Sequence, residues 1–186
     1  MSRRLLPAVF LLLALVPFGG MLARGDVPLF RDHAAYFLPL RWHTAASLAA
    51  GELPLWNAWN GLGEPWLANP QTGVFYPPAW IFLALPFETA YVVFLWIHLA
   101  LLGAGAWALF RRWAGEVPSA FGAVALMLSG PVLSLLDVGN NLTSFAWFPL
   151  VIRLALERAG RPRLSPNGPS ASSDMFNVPR TIAPAP

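Results

Sequence analysis

Apolar residues in this chain come in long blocks rather than in the stripes of a soluble amphipathic fold. The blocks occupy 5–23, 88–110, 119–136 and, more briefly, 144–156. An apolar run of roughly 18 residues or more crosses the hydrocarbon core as a helix, because all its backbone polar groups are satisfied within the segment. The pattern predicts an all-α fold, a polytopic membrane helix bundle of about four transmembrane helices over residues 1–158. Between the first two blocks lies a large outer loop, 24–87, of another texture, rich in Trp, Asn, Gly and Pro.

Within that loop, residues 32–50 read as a helix lying near the interface, with Asp32 as N-cap, Gly51 and Pro54 as the stop, and Pro39 bending it. A second interfacial element, 78–85, begins with proline, carries Trp80 and is too short to span. In the second block Ala100, Ala104 and Ala108 lie four apart beside Gly103 and Gly105, a spacing that lets another helix approach closely. Gly130 and Pro131 predict a kink in the third block, near Asp137. From 159 to 186 the chain is Pro- and Ser-rich without apolar period, which predicts a disordered tail. A bundle running into such a tail reads as the front part of a larger protein, cut short or shifted in frame.

Charge fixes an orientation. Arg3 and Arg4 precede the first block, Arg111 and Arg112 follow the second, and Arg153, Arg158, Arg161 and Arg163 follow the fourth. Basic residues flank membrane helices on the cytoplasmic side. All three clusters then place the N-terminus inside and the loop 24–87 outside, as expected for a multi-pass protein of a bacterial cytoplasmic membrane. A cleaved signal peptide is the rival for the first block, but Met21, Leu22 and Ala23 lack the small residue that the cleavage pattern needs at its first position. With 56% hydrophobic and 11% charged residues, a soluble domain is excluded. The pI near 10.2 arises from a few Arg at span ends and gives no support for nucleic-acid binding. There is no Cys, so disulfides and thiolate metal sites are excluded.

The chemistry-bearing residues gather in the outer loop. Asp32, at the start of the interfacial helix, could accept a proton from a sugar hydroxyl or hold a divalent cation, or simply cap the helix. Tyr36 lies on the same helical face and His43 three turns on. Arg31, Arg41, His33 and His43 are cationic or proton-donating groups suited to a phosphate leaving group, and equally to lipid headgroups. Trp56, Asn57, Trp59 and Asn60 mix aromatic and amide groups beside Gly61 and Gly63, where the backbone can turn and approach a carbohydrate. Trp42 and Trp80 read as an interfacial belt. Asp137 is a second acid that could converge on Asp32. His98 reads as an interhelical hydrogen-bonding residue. Asn141, Leu142 and Thr143 match a glycosylation triplet of the kind that arises often by chance.

FRDHAAYFLPLR, GELPLWNAWNGLGEPWLANPQTGVFYPPAW and LALPFETAYVVFLWIHLALLGAGAW together resemble the amino-terminal part of the YfhO-type bacterial membrane proteins, multi-span relatives of the C-type glycosyltransferases. The resemblance covers roughly residues 5–158. It implies transfer of a sugar from a polyprenyl-phosphate donor to a glycan or other cell-envelope acceptor outside the membrane. It further implies a base or metal-contact role for Asp32, with Tyr36 matching the aspartate-to-tyrosine spacing and Gly61 and Gly63 the glycine turn. Family members carry many more spans, so this chain alone is expected to be inactive. The competing expectation is a non-catalytic membrane protein that binds lipid-linked glycan or serves as an assembly subunit. A transporter would want acids or broken helices in mid-membrane, for which only His98 and the Gly130–Pro131 kink speak.

Overall fold

The computed structural model describes residues 6–159, and over them the chain is predominantly helical. The tail expected from 159 onward lies outside the described residues apart from Ala159, as do Arg3 and Arg4. The first apolar block is two helices, α1 (Leu6–Ala14) and α2 (Gly19–Arg24). Pro17 divides them, since it has no N–H to donate and disfavours helical geometry at the residue before it. The chain tightens there, with the Leu15 N–H donating to Leu12 O at 3.1 Å, which takes the helical partner from the Leu11 carbonyl. The Trp96 indole Nε1 supplies the missing donor, 2.8 Å from Leu11 O. Gly25, at φ +70°, closes α2 in the left-handed conformation that favours glycine.

The loop 24–87 between the first two apolar blocks folds into an ordered cap. A π-helical turn, His33–Phe37, runs into α3 (Leu38–Ala49). The Leu38 N–H reaches back to His33 O and the helical run is unbroken from Asp32 to Ala49, so Pro39, with no N–H to donate, sits inside it just after the π-turn. Asp32 occupies the position before the turn, but with φ −71° and ψ −14° its backbone is already helical and its carboxylate caps nothing. Capping requires an extended backbone. Asn69 has one, at φ −83° and ψ 110°, and its side chain accepts from the Gln71 N–H at 2.9 Å. Two short strands, β1 (Trp56–Asn57) and β2 (Glu64–Pro65), pair antiparallel as a small hairpin, and 3-10 turns follow at Pro70–Thr72 and Pro77–Leu83.

The bundle is built around α4 (Phe87–Phe110), on which α1, α5 (Glu116–Met127) and α7 (Gly139–Arg158) pack. The close approach expected of its small residues is realised at two glycines. A methyl group at Gly103 would fall 2.7 Å from Met127 Sδ and 2.9 Å from the Phe10 ring, and one at Gly105 would fall 3.1 Å from Leu150. Tyr91 lies beside Gly139 and Gly105 beside Leu150, so α7 runs parallel to α4; Phe110 lies beside Gly122 and Gly103 beside Met127, so α5 runs antiparallel. After α5 the chain bends by 41° into α6 (Gly130–Ser134) and a 3-10 turn, Leu135–Asp137, the kink that Gly130 and Pro131 predict.

One described helix, α4, is long and apolar enough to cross a membrane, and α5 with α6 and its following turn counts as a second if the bent pair is one segment. The four apolar blocks are therefore fewer continuous helices than their hydropathy implies. Pro17 and Pro131 interrupt two of them, and α7 begins with the polar Gly139, Asn140 and Asn141.

Candidate functional site

One cleft lies within the cap and two lie where the cap meets the bundle. The first, about 290 Å3, runs between α3 and the β1–β2 hairpin. Tyr36, His43, Asn57, Trp59 and Asn60 converge on it, five of the residues the sequence singles out. Strand alternation explains the sorting in the hairpin: Asn57 points inward and is buried, while its neighbour Trp56 is exposed. Trp56 lies against Gly63, whose φ of +89° and lack of Cβ are both needed, since a methyl there would fall 2.5 Å from the indole Nε1. Gly61, at φ +57°, turns the hairpin, which is held by Asn60 Nδ2 donating to Glu64 Oε1 at 2.9 Å. His43 stands edge-on to Trp66 at 4.6 Å, and its Nε2 is buried without a hydrogen-bond partner. That nitrogen is an unspent polar group in the groove wall.

The second cleft, about 400 Å3, is centred on Arg41, with Gln71, Tyr76, Asn140, Ser144 and Trp147 around it. Arg41 is only 5% exposed. Its Nη1 donates to Thr72 O at 2.8 Å and its Nη2 to Asn140 Oδ1 at 2.9 Å, and its Cζ stands 5.1 Å from the Phe94 ring centroid. Burial lowers the guanidinium from its ordinary value. Gly73, at φ +66°, makes the room, because a Cβ there would collide with Nη1. Tyr76 donates to His98 Nε2 at 2.5 Å and accepts from Trp147 Nε1 at 2.7 Å. His98 Nδ1 donates to Phe94 O at 2.6 Å, which leaves Nε2 as the acceptor. Burial also raises the Tyr76 phenol, so it remains a donor at neutral pH. The first and second clefts share a wall, in which the Tyr36 hydroxyl donates to Gln71 Oε1 at 2.6 Å.

The third cavity, about 690 Å3, lies between the α1–α2 break and α6. Phe18, Met21, Leu95, Leu133 and Leu136 make it largely apolar, with His33 and Asp137 at its edge. His33 is fully buried: Nε2 donates to Leu136 O, and Nδ1 accepts from the Tyr91 hydroxyl at 2.6 Å. Both ring nitrogens are spent, so His33 fastens the cap rather than offering a group to a ligand.

Asp137 pairs with Arg31, at 3.8 Å, rather than converging with Asp32. Arg31, exposed and at φ +52°, is the one non-glycine among the described residues in the left-handed region. Asp32 is exposed and lines none of these three clefts. Nor do the described residues include any group of three or more His, Asp or Glu able to hold a metal ion, so the divalent cation that Asp32 suggested finds no ligand set there.

Sequence reasoning missed Thr72, Gly73, Tyr76, Tyr91, Asn140 and Trp147. One signal was present: Tyr91 and His98 are polar residues seven apart in an apolar helix, hence on one face. With Phe94 between them they form the stripe of α4 that receives His33, Arg41 and Tyr76 from the cap. No protein-family model, curated protein or solved structure matches this chain.

Proposed function

We propose that this chain contributes the first outer loop and its surrounding helices to a membrane glycosyltransferase of the YfhO type, which moves a sugar from a polyprenyl-phosphate donor to a cell-envelope acceptor outside the membrane. In this reading the α3–hairpin groove takes the sugar, Asp32 assists attack by the acceptor hydroxyl, and Arg31 or Arg41 meets the phosphate. The observation that carries it is the convergence of Tyr36, His43, Asn57, Trp59 and Asn60 on one groove, an aromatic and amide lining suited to a carbohydrate.

A bundle of four crossings with the N-terminus inside is part of the proposal. Its support is the outward face of the helices: Leu11 and Leu12 on α1, Val117 and Phe121 on α5, and Phe148, Val151 and Leu154 on α7 are all exposed. A water-facing bundle would place polar residues there. The antiparallel packing of α5 on α4, and the parallel packing of α7, fit successive crossings.

The test is the full chain in lipid nanodiscs, titrated with a polyprenyl-phosphate-linked sugar. Trp59→Ala and Asn57→Ala should each weaken binding by about tenfold, on the scale of one stacking or hydrogen-bonding contact. Unchanged affinity in both variants would remove the groove from the reading. Non-catalytic binding of lipid-linked glycan is favoured by one observation, that the exposed Asp32 lines none of the three clefts. Replacing Asp32 by Asn in a full-length protein of the YfhO type separates the two: loss of transfer with donor binding retained supports the enzyme, and transfer at the original rate takes Asp32 out of the mechanism.

A further inference from the structure

We propose that the Arg41 cleft is a binding site for a phosphate-type oxyanion, with Arg41, Asn140 and the first turn of α7 as its positive wall. A buried guanidinium is costly unless an anion compensates it. Here both hydrogen-bond partners of the guanidinium, Thr72 O and Asn140 Oδ1, are neutral. The ion pairs among the described residues are Arg24 with Asp26, Arg31 with Asp137, Arg111 with Glu116 and Arg153 with Glu157, so none engages Arg41. Two of the five guanidinium N–H groups are spent, and Arg41 lines an open cleft whose walls contain no carboxylate.

The remaining walls add to the same field. α7 is 20 residues long, starts at this cleft, and has at its N-cap Val138, whose side chain offers no acceptor; of the first turn, the Asn141 N–H is given to Val138 O. Asn140, Gln71 and Ser144 are neutral groups able to meet oxyanion or ester oxygens, while the Trp147 N–H is already given to Tyr76. The guanidinium fork matches two oxygens of a phosphate, and about 400 Å3 leaves room for the group esterified to it. Arg31, by contrast, is exposed and already faces Asp137. The geometry thus selects Arg41 over Arg31. The inference rests on the reading above only for the identity of the ester, because the buried charge calls for an anion whatever reaction follows.

The chain purified in a phosphate-free detergent is titrated with inorganic phosphate and with a short-chain alkyl phosphate, followed by 31P NMR and calorimetry. Saturable binding is expected, weakened about tenfold or more in Arg41→Gln, partly restored in Arg41→Lys, and unaltered in Arg31→Gln. Asn140→Ala, which leaves the buried charge in place, should weaken binding severalfold and covers the case in which Arg41→Gln does not fold. Tighter binding of the alkyl ester, competed by anionic lipid in nanodiscs, identifies a lipid headgroup as the source; equal binding without lipid competition identifies a free phosphate. Absence of saturable binding by either anion, or equal loss in Arg31→Gln and Arg41→Gln, overturns the proposal. Because no sugar is present, this failure is distinct from failure of the groove to bind a glycan.

Discussion

The cap has two surfaces that invert the usual arrangement of a soluble domain. Its seam against α4 sets polar contacts, His33 on Tyr91, Arg41 over Phe94 and Tyr76 on His98, beside the buried Phe37, Ala79 and Phe82. Its hairpin turns large apolar groups outward, with Trp59 91% exposed and Trp56 and Leu62 exposed beside it. The difference teaches where specificity lies in a bundle whose outside is apolar. Hydrophobic contact is available on every side and selects no partner, whereas a buried donor must find its one acceptor. The seam therefore fixes how the cap sits, and the hairpin is left free to meet something else.

The strongest way to break this contrast is His33→Leu. It strands the Leu136 carbonyl and the Tyr91 hydroxyl, and should cost about 2–4 kcal/mol of stability, read as a lowered thermal midpoint in detergent. Gly73→Ala should follow, at about 1–3 kcal/mol, because the left-handed backbone resists a Cβ and Arg41 must move. Tyr76→Phe should cost about 1 kcal/mol and shift the emission of Trp147, whose indole loses its acceptor. The same residue supplies a pH signature. Its folded-state phenol is raised, so its contribution is fully present below about pH 10 and declines as pH rises through the higher folded value; Tyr76→Phe should flatten that alkaline loss in a pH-resolved melt. Trp59→Ala should change stability least, by under about 0.5 kcal/mol, while weakening glycan binding. A melting loss at Trp59 equal to that at His33 would abolish the distinction between the two surfaces.

What was legible in the chain was local. The apolar blocks, the Gly51 stop, the Gly130–Pro131 kink and the close-packing glycines of α4 each depend on residues a few positions apart. The groove was legible in part, because Tyr36 and His43 share a helix face and Asn57 and Asn60 share a hairpin. The seam was not. The hydrogen bonds that fasten the cap to the helices join residues 22, 58, 99 and 103 positions apart, and no periodicity relates His33 to Leu136 or Arg41 to Asn140. Asp32 misled for a related reason. Its residue type suits a cap, but a helical ψ swings the carboxylate away, and that angle is set by the π-turn behind it. Pro17 was visible yet outweighed by its apolar neighbours, whose summed hydropathy hides a single missing N–H.

The indole of Trp96 donating to the Leu11 carbonyl carries a consequence for the order in which the protein is made. In the proposed bundle α1 lies in hydrocarbon, where an orphaned carbonyl finds no water, so the proline break leaves α1 incomplete for as long as it is alone. Synthesis delivers α1 well before its splint, since 85 positions separate the two partners. The first helix therefore waits for the fourth, and a nascent chain stopped before Trp96 should hold α1 only loosely, measurable as faster cysteine labelling at residue 12 than in a chain extended through α4.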